Sequence, residues 1–130
     1  MVDSNSLTIT VTAYVVNPQV TGVTSGGPTT NATITGSGFT QNGVVILYLN
    51  IYSDNFGSGG GGIGTDAFAV DQVQADGNGD VDFTATGNTW LQLYNNQAHT
   101  GLNSSETFSF YFELLDSSSG MAATPGIITI

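Results

Sequence analysis

Hydrophobic and polar residues alternate with a period of two along almost the whole chain. The longest alternation lies near the N-terminus, where threonine and tyrosine separate the apolar residues Leu7, Ile9, Val11, Ala13 and Val15. This is the pattern of a β-strand with one apolar face. Similar runs, bounded by Gly, Asn, Asp, Ser or Pro, occupy residues 19–24, 32–35, 44–51, 67–75, 80–86, 107–115 and 126–130. Short strands with regular turn signals predict an all-β, antiparallel sandwich.

Helical periodicity is nearly absent from the sequence. Only residues 89–97 suggest a helical turn, and this run is too short to predict a stable helix. The pattern therefore predicts a sandwich with almost no helix.

The charge of the chain excludes several classes of function. Its 130 residues include ten Asp and Glu but no Lys or Arg, so the formal net charge is -10. Nucleic-acid binding depends on cationic side chains that neutralise phosphates, and we expect no nucleic-acid partner. Lysine is also required for P-loop phosphate transfer, for Schiff-base catalysis and for isopeptide-linked pilins. The absence of cysteine excludes disulfides and a thiol nucleophile.

The remaining composition is that of one small domain. A hydrophobic content of 39% supports a single core of ordinary size. No run reaches the roughly 18 apolar residues that span a bilayer, so we expect no membrane insertion. Residues 1–4 do not begin a signal peptide. If the protein is secreted, we expect its signal to have been removed or omitted.

Two motifs in the middle of the chain have counterparts in a known family. They are NATITGSGFTQNGVVILY at residues 31–48 and VQADGNGDVDF at residues 73–83. They resemble the opening strands and a hairpin of immunoglobulin-like domains of the IPT/TIG type in bacterial and archaeal surface proteins. The glycines of the first motif permit a bend between strands, and Asn78-Gly79 in the second suits a tight hairpin turn. The resemblance covers residues 18–130 and implies an immunoglobulin-like sandwich, preceded by an extension over residues 1–17.

Four side chains with oxygen atoms alternate in the second motif: Asp76, Asn78, Asp80 and Asp82. Calcium loops present their ligands with this spacing. However, the glycine after the third ligand and the distal glutamate of an EF-hand are missing. We therefore favour a plain hairpin turn and expect no cofactor, with calcium binding at these four residues as the alternative.

Catalytic motifs are missing as well. His99 is the one histidine, and the chain has neither a Gly-x-Ser-x-Gly elbow nor a cysteine, so a nucleophilic triad has little support. Paired carboxylates of a glycosidase have no fixed spacing in sequence. We expect that the protein is not an enzyme.

Two further features of the sequence are candidates for contact with sugars. Asn31 and Asn103 begin triplets that fit the acceptor pattern for N-linked glycans, so covalent glycans are candidate partners at these residues, which we expect to be exposed. Trp90, Tyr94 and Tyr14 are candidates for a platform on which sugars stack, although buried aromatic residues are commoner in a sandwich.

The N-terminal strand is the feature from which we mainly predict the function of the protein. A strand of about ten residues spans ~33 Å, and an apolar strand of this length aggregates unless it pairs. It pairs either within its own domain or, by strand addition, with a neighbouring copy. Asn17-Pro18 separates residues 7–16 from the domain, which favours the second arrangement. Head-to-tail addition does not close on itself and gives a filament. This arrangement resembles the donor-strand extracellular filaments of bacteria and archaea.

Two hypotheses of function result, both with an extracellular or cell-surface location. The first is a structural subunit of a pilus-like filament, whose partners are copies of the same chain and whose polymerisation strand carries the five alternating apolar residues. The second is an immunoglobulin-like adhesin domain that binds a glycan or a protein partner.

Overall fold

A computed structural model describes residues 14–51, 67–103, 106 and 108–130 of the chain. These residues form seven strands and one helix. In chain order the elements are β1 (Gln19–Thr24), β2 (Asn31–Ser37), β3 (Val44–Ile51), β4 (Phe68–Gln74), β5 (Val81–Thr86), α1 (Gly87–Ala98), β6 (Ser109–Asp116) and β7 (Gly126–Thr129). Of the predicted extra strand at residues 7–16, residues 7–13 lie outside the described residues, and residues 14–16 form no strand.

The strands form two sheets, and every strand pair in them is antiparallel. One sheet has three strands in the order β1-β2-β5, and the other has four in the order β4-β3-β6-β7. The fold is the all-β, antiparallel sandwich that the alternation predicted, with the immunoglobulin-like architecture that the resemblance implied. The limits of β1 and β3 are those predicted from the sequence. The limits of the other strands differ from the predicted ones by at most two residues.

The core lies between the two sheets because alternate residues of each strand point inward. On β3 and β6 these residues are wholly buried, while their neighbours along each strand are partly exposed. The largest buried side chains are Phe39, Phe83, Trp90, Phe110, Phe112, Ile34, Leu47, Leu49, Leu114 and Ile128.

Helix α1 has twelve residues and contains the run 89–97 in which the sequence suggested a helical turn, so it is longer than expected. It begins after Thr86, whose hydroxyl accepts a hydrogen bond of 3.3 Å from the backbone N–H of Thr89. Its buried side chains are Trp90, Leu91 and Tyr94, which are too few to give a clear helical period in the sequence. Packing of these side chains on the sandwich therefore stabilises the helix more than its intrinsic propensity does.

Aromatic contacts fix the helix beside β4. The ring of Tyr94 meets those of Phe68 and Phe110 edge to face, at centroid distances of 5.7 and 4.9 Å. The indole N–H of Trp90 donates a 3.1 Å hydrogen bond to Asp71 on β4. No helix in the described part of the chain is long and apolar enough to cross a membrane.

The predicted hairpin at residues 73–83 is a turn between the two sheets. Strand β4 pairs with β3 in the four-stranded sheet, whereas β5 pairs with β2 in the three-stranded sheet. Gly79 has the positive φ of 79° that the turn needs, but Asn78 does not, so the turn is not a two-residue hairpin with two left-handed residues. The hairpin prediction was wrong because a tight turn signals a change of direction without specifying which sheet receives the next strand.

Candidate functional site

The five polymerisation residues lie at the limit of the described chain. Leu7, Ile9, Val11 and Ala13 fall outside the described residues, as does most of the predicted strand at 7–16. Val15 is described and its side chain is 74% exposed. The segment that joins this strand to the sandwich, residues 14–18, is here called the tether.

The tether is bound to one end of the sandwich. The backbone N–H of Asn17 donates a 2.8 Å hydrogen bond to the carbonyl of Gly38, and Pro18 is buried. The hydroxyl of Tyr14 donates to the carbonyl of Phe39. At this end β1 begins, β2 ends and β5 begins, because Gln19 pairs with Ser37 and Gly36 with Val81. We call it the tether end.

Two glycines make the binding of the tether possible. Gly38 and Gly79 both have a φ of 79°, which other residues rarely adopt. A Cβ atom on Gly38 would clash with the carbonyl of Asn17, and one on Gly79 would clash with the Tyr14 hydroxyl. From the sequence, both glycines were assigned to turns between strands. The structure shows that they also contact the tether.

The sandwich has an opening on the side where β1 and β7 form the edges of their sheets. Near the helix end, the two edges are joined by hydrogen bonds of 3.2 Å from Gly26 N–H to the Thr129 carbonyl and from Thr129 N–H to the Ser25 hydroxyl. At the tether end, a groove of about 430 Å³ lies between the start of β1 and the segment that precedes β7. The groove is lined by Asn17, Pro18, Gln19, Val20, Ala122 and Thr124. We call this opening the β1–β7 gap.

A buried carboxylate organises the same end of the sandwich. Asp116 is wholly buried, and one of its oxygens accepts hydrogen bonds of 2.8 and 2.7 Å from the N–H and the hydroxyl of Thr40. Its other oxygen accepts a 3.1 Å bond from the N–H of Ser118. Burial raises the pKa of Asp116, but the hydrogen bonds from Thr40, Ser118 and Ser119 together outweigh it and hold the pKa below its usual range. The group fastens the loop after β2 to the end of β6, which is a structural role.

The candidate calcium ligands do not converge on one point. An oxygen of Asp76 accepts hydrogen bonds of 2.8 and 2.9 Å from the N–H groups of Asn78 and Asp80, so it closes the turn itself. Asp82 lies on β5, where it accepts a 2.6 Å bond from the Thr84 hydroxyl. Within the described ranges, no group of three or more His, Cys, Asp or Glu side chains could hold a metal ion.

The other candidate residues lie apart from one another. Asn31 and Asn103 are exposed, and their glycosylation stays a prediction. Trp90 and Tyr94 are 0% and 3% exposed, so the hypothesis of a sugar-stacking platform with Tyr14 was wrong. His99 ends helix α1 in a left-handed conformation, with its N–H bound to the carbonyl of Asn95.

Sequence reasoning missed the anchoring of the tether and the β1–β7 gap. Tyr14 fits the strand alternation equally well as a simple solvent-facing residue, so nothing local in the sequence shows that it reaches Phe39. A weak signal existed in Gly38 and Gly79, because glycine is also typical of places where another segment approaches the backbone closely.

Comparison with known proteins gives a weak structural likeness. The chain matches no protein-family model and no curated protein sequence. A PKD domain of an M14-like peptidase from Thermoplasmatales archaeon SCGC AB-540-F20 is similar over 87% of this chain and 89% of its own, with 20% sequence identity and a TM-score of 0.32. A likeness at this level has no bearing on function.

Proposed function

We propose that the protein is the structural subunit of an extracellular, pilus-like filament. Each subunit adds its N-terminal strand, residues 7–13, to the sandwich of the next copy. The strand enters the β1–β7 gap of the acceptor, with Leu7, Ile9, Val11 and Ala13 directed toward its core. The observation that supports this proposal best is the β1–β7 gap, where a groove lies between the start of β1 and the segment that precedes β7.

The backbone of the two edge strands supports the proposal. Strand β1 pairs with β2, and β7 pairs with β6, so one edge of each faces the gap. An open sheet edge is a template for an incoming strand, because its N–H and C=O groups can continue the ladder. Burial of four apolar side chains at about 1.5 kcal/mol each would add roughly 6 kcal/mol as an upper estimate.

The outward residues of the three-stranded sheet match the polar side of the donor strand. Thr33 and Thr35 on β2 and Thr84 on β5 point outward, and the Thr33 and Thr84 hydroxyls are hydrogen bonded at 3.1 Å. Residues 8, 10 and 12 of the N-terminal strand are also threonine. A strand that adds beside β1 with its apolar side inward would extend this threonine surface, because its alternate residues face outward.

The tether supports donation to another copy. The Tyr14 hydroxyl lies against Gly79, next to the start of β5, which is the far edge of the three-stranded sheet from β1. The Tyr14 side chain therefore anchors the tether beside the sheet edge opposite the β1–β7 gap. We propose that the strand before Tyr14 continues from this anchor to a neighbour's gap and not back across the tether end to its own.

Cross-linking between cysteine variants tests the proposal directly, since the natural chain has no cysteine. Thr10→Cys and Gln19→Cys proteins, one of them with a mass tag, are mixed unfolded, refolded together and treated with a short bismaleimide. We expect a cross-linked heterodimer, and no dimer from either variant refolded alone. The double variant should give ladders of multimers.

Cross-linking confined to single chains of the double variant would contradict the proposal. In that case the strand would complete its own sandwich, and the adhesin domain would become the better hypothesis. Negative-stain microscopy of the natural chain gives an independent test, since filaments and separate monomers are easily distinguished.

A further inference from the structure

The core is open to solvent along one edge of the β1–β7 gap. In the row of residues that crosses the three-stranded sheet, Val23 on β1 lies opposite Ile34, and Ile34 lies opposite Phe83. Residues opposite each other in register share a face of the sheet, so all three side chains point toward the core. Ile34 and Phe83 are wholly buried, whereas Val23 is 42% exposed. The strand that would cover Val23 is therefore missing from the single subunit.

The inward residues of β7, on the other edge of the gap, leave no such opening. Ile128 lies opposite Phe110 of β6 and is 1% exposed. At Gly126 the ring of Phe112 already occupies the inward position, because a Cβ atom there would lie 2.7 Å from its Cζ atom. An incoming strand would thus cover an exposed apolar side chain beside β1 but not beside β7.

A bulge in β1 sets the number of residues that such a strand needs. Residues 19–24 of β1 pair with only five residues of β2, 33–37, and the register shift between Val20 and Gly22 absorbs the difference. We call these five pairing positions levels. Two levels face the core, at Val20 and Val23, and the other three face outward. A strand that follows this edge therefore has five residues, of which the second and the fourth point inward.

One run of the N-terminal segment fits this requirement. Residues 8–12 read Thr-Ile-Thr-Val-Thr, so its inward positions are Ile9 and Val11 and its outward positions are threonines. All five residues are β-branched, which is true of no other five-residue window in residues 1–16, and β-branched residues are the most favourable in strands. The window 10–14 would include Tyr14, whose hydroxyl is bound to Phe39 of its own subunit.

We propose that Ile9 and Val11 occupy the two core-facing levels beside β1 of the next copy, one against Val20 and the other against Val23. The inference rests on the proposed function and deepens it, because it names the receiving edge and the register of the added strand. Both contacts are between uncharged side chains, so they need no cationic residue, which the chain lacks.

Disulfide mapping tests the register. Neighbouring strands hold opposite Cα atoms about 4.5–5.5 Å apart, which a disulfide can span. The Val23→Cys protein is mixed unfolded with a mass-tagged variant that carries cysteine at residue 7, 9, 11 or 13, refolded and oxidised. We expect residue 9 or residue 11 to give at least about tenfold more heterodimer than residues 7 and 13. Residue 11 would indicate a strand parallel to β1, and residue 9 an antiparallel one.

A charged substitution with a matched control tests the receiving edge. Val23→Asp would bury a carboxylate that has no Lys or Arg partner. Val44→Asp makes the same change at a valine that is 39% exposed on the outside of β3. Each is added to Gln19→Cys and refolded with tagged Thr10→Cys for bismaleimide cross-linking. We expect Val23→Asp to lower the yield of heterodimer at least about tenfold and Val44→Asp to leave it within about twofold.

The results separate this inference from the proposed function. Without heterodimers from Thr10→Cys and Gln19→Cys alone, both are overturned. If these heterodimers form but Val23→Asp and Val44→Asp act alike, or disulfides favour residue 7 or 13, strand addition stands and the register beside β1 is wrong. Circular dichroism and melting temperature check that each variant is folded, as we expect for Val23→Asp because its side chain already reaches solvent.

Discussion

Asp116 shows how one buried charge can be stabilised without a cationic partner. The chain has no Lys or Arg, so the carboxylate is neutralised only by hydrogen-bond donors, among them the N–H and hydroxyl of Thr40 and the N–H of Ser118. Hydrogen bonds to an ionised acceptor contribute about 1.5–3 kcal/mol each in favourable cases. Stability at the tether end therefore depends on the ionisation of this residue.

Replacement of Asp116 by Asn should lower the free energy of unfolding at pH 7 by about 1–3 kcal/mol, because the amide is a weaker acceptor and adds donors that lack partners. The pKa of Asp116 is lower in the folded than in the unfolded chain, so its contribution is complete above about pH 4 and disappears as the pH falls through the folded pKa. Urea unfolding between pH 2 and 7 measures both effects.

The Asp116→Asn variant should consequently lose less stability than the natural chain as the pH falls below about 4. Asp80→Asn, at an exposed turn residue, is the matched control and should change neither quantity much. Parallel pH profiles for the natural chain and Asp116→Asn would show that the carboxylate is not the source of the acid sensitivity.

At the scale of elements, the turn between β4 and β5 connects the two sheets. Its geometry depends on Asp76, which accepts hydrogen bonds from two backbone N–H groups of the turn. The same turn brings Gly79 under Tyr14, and the Gly79 carbonyl accepts a 3.1 Å hydrogen bond from the N–H of Phe39. The turn between β4 and β5 therefore connects the two sheets and also provides part of the surface that the tether contacts.

Asp76→Ala should reduce the free energy of unfolding by about 1 kcal/mol, since two partly solvated N–H groups lose their acceptor. Asp80→Ala should cost much less, because the side chain of Asp80 is exposed and closes no turn of its own. Chemical unfolding compares the two variants.

Calcium should not affect this turn. The melting temperature of the natural chain in millimolar calcium and in chelator should agree within about 2 °C. A ligand that binds only the folded state raises the melting temperature by mass action, so an unchanged value means that calcium does not bind. A rise of many degrees would revive the calcium site at Asp76, Asn78, Asp80 and Asp82.

Prediction from sequence succeeded for strands and failed where distant segments meet. Alternation at residues 44–51 placed β3 correctly, because a strand with one buried face must show the period of two. Helix α1 was underestimated, because its stability comes from contacts of Trp90 and Tyr94 with other elements. The sheet to which β5 belongs and the contact of Tyr14 with Phe39 depend on tertiary structure, which local patterns do not encode. The glycosylation of Asn31 and Asn103 and the position of the N-terminal strand stay predictions.

At the scale of the whole molecule, uniform negative charge should control assembly. Two copies with a net charge of -10 repel at long range, and the Debye length falls from about 30 Å at ~10 mM salt to about 10 Å at ~100 mM. We therefore expect the rate of the proposed polymerisation, measured by light scattering, to increase as sodium chloride is raised through this range. Slower assembly at higher salt would indicate contacts between opposite charges, for which the chain has neither Lys nor Arg.

The anchored tether also determines how the sandwich bears mechanical load. A pull on the N-terminal segment reaches the folded domain first at Tyr14 and Asn17, whose partners Phe39 and Gly38 follow β2, the central strand of its sheet. Force that enters a central strand along its axis must shear several hydrogen bonds on both sides at once, whereas force on an edge strand can peel them away singly. In a fibre assembled as proposed, tension would therefore load the hydrogen bonds that join Tyr14 and Asn17 to the end of β2 before it reached β1.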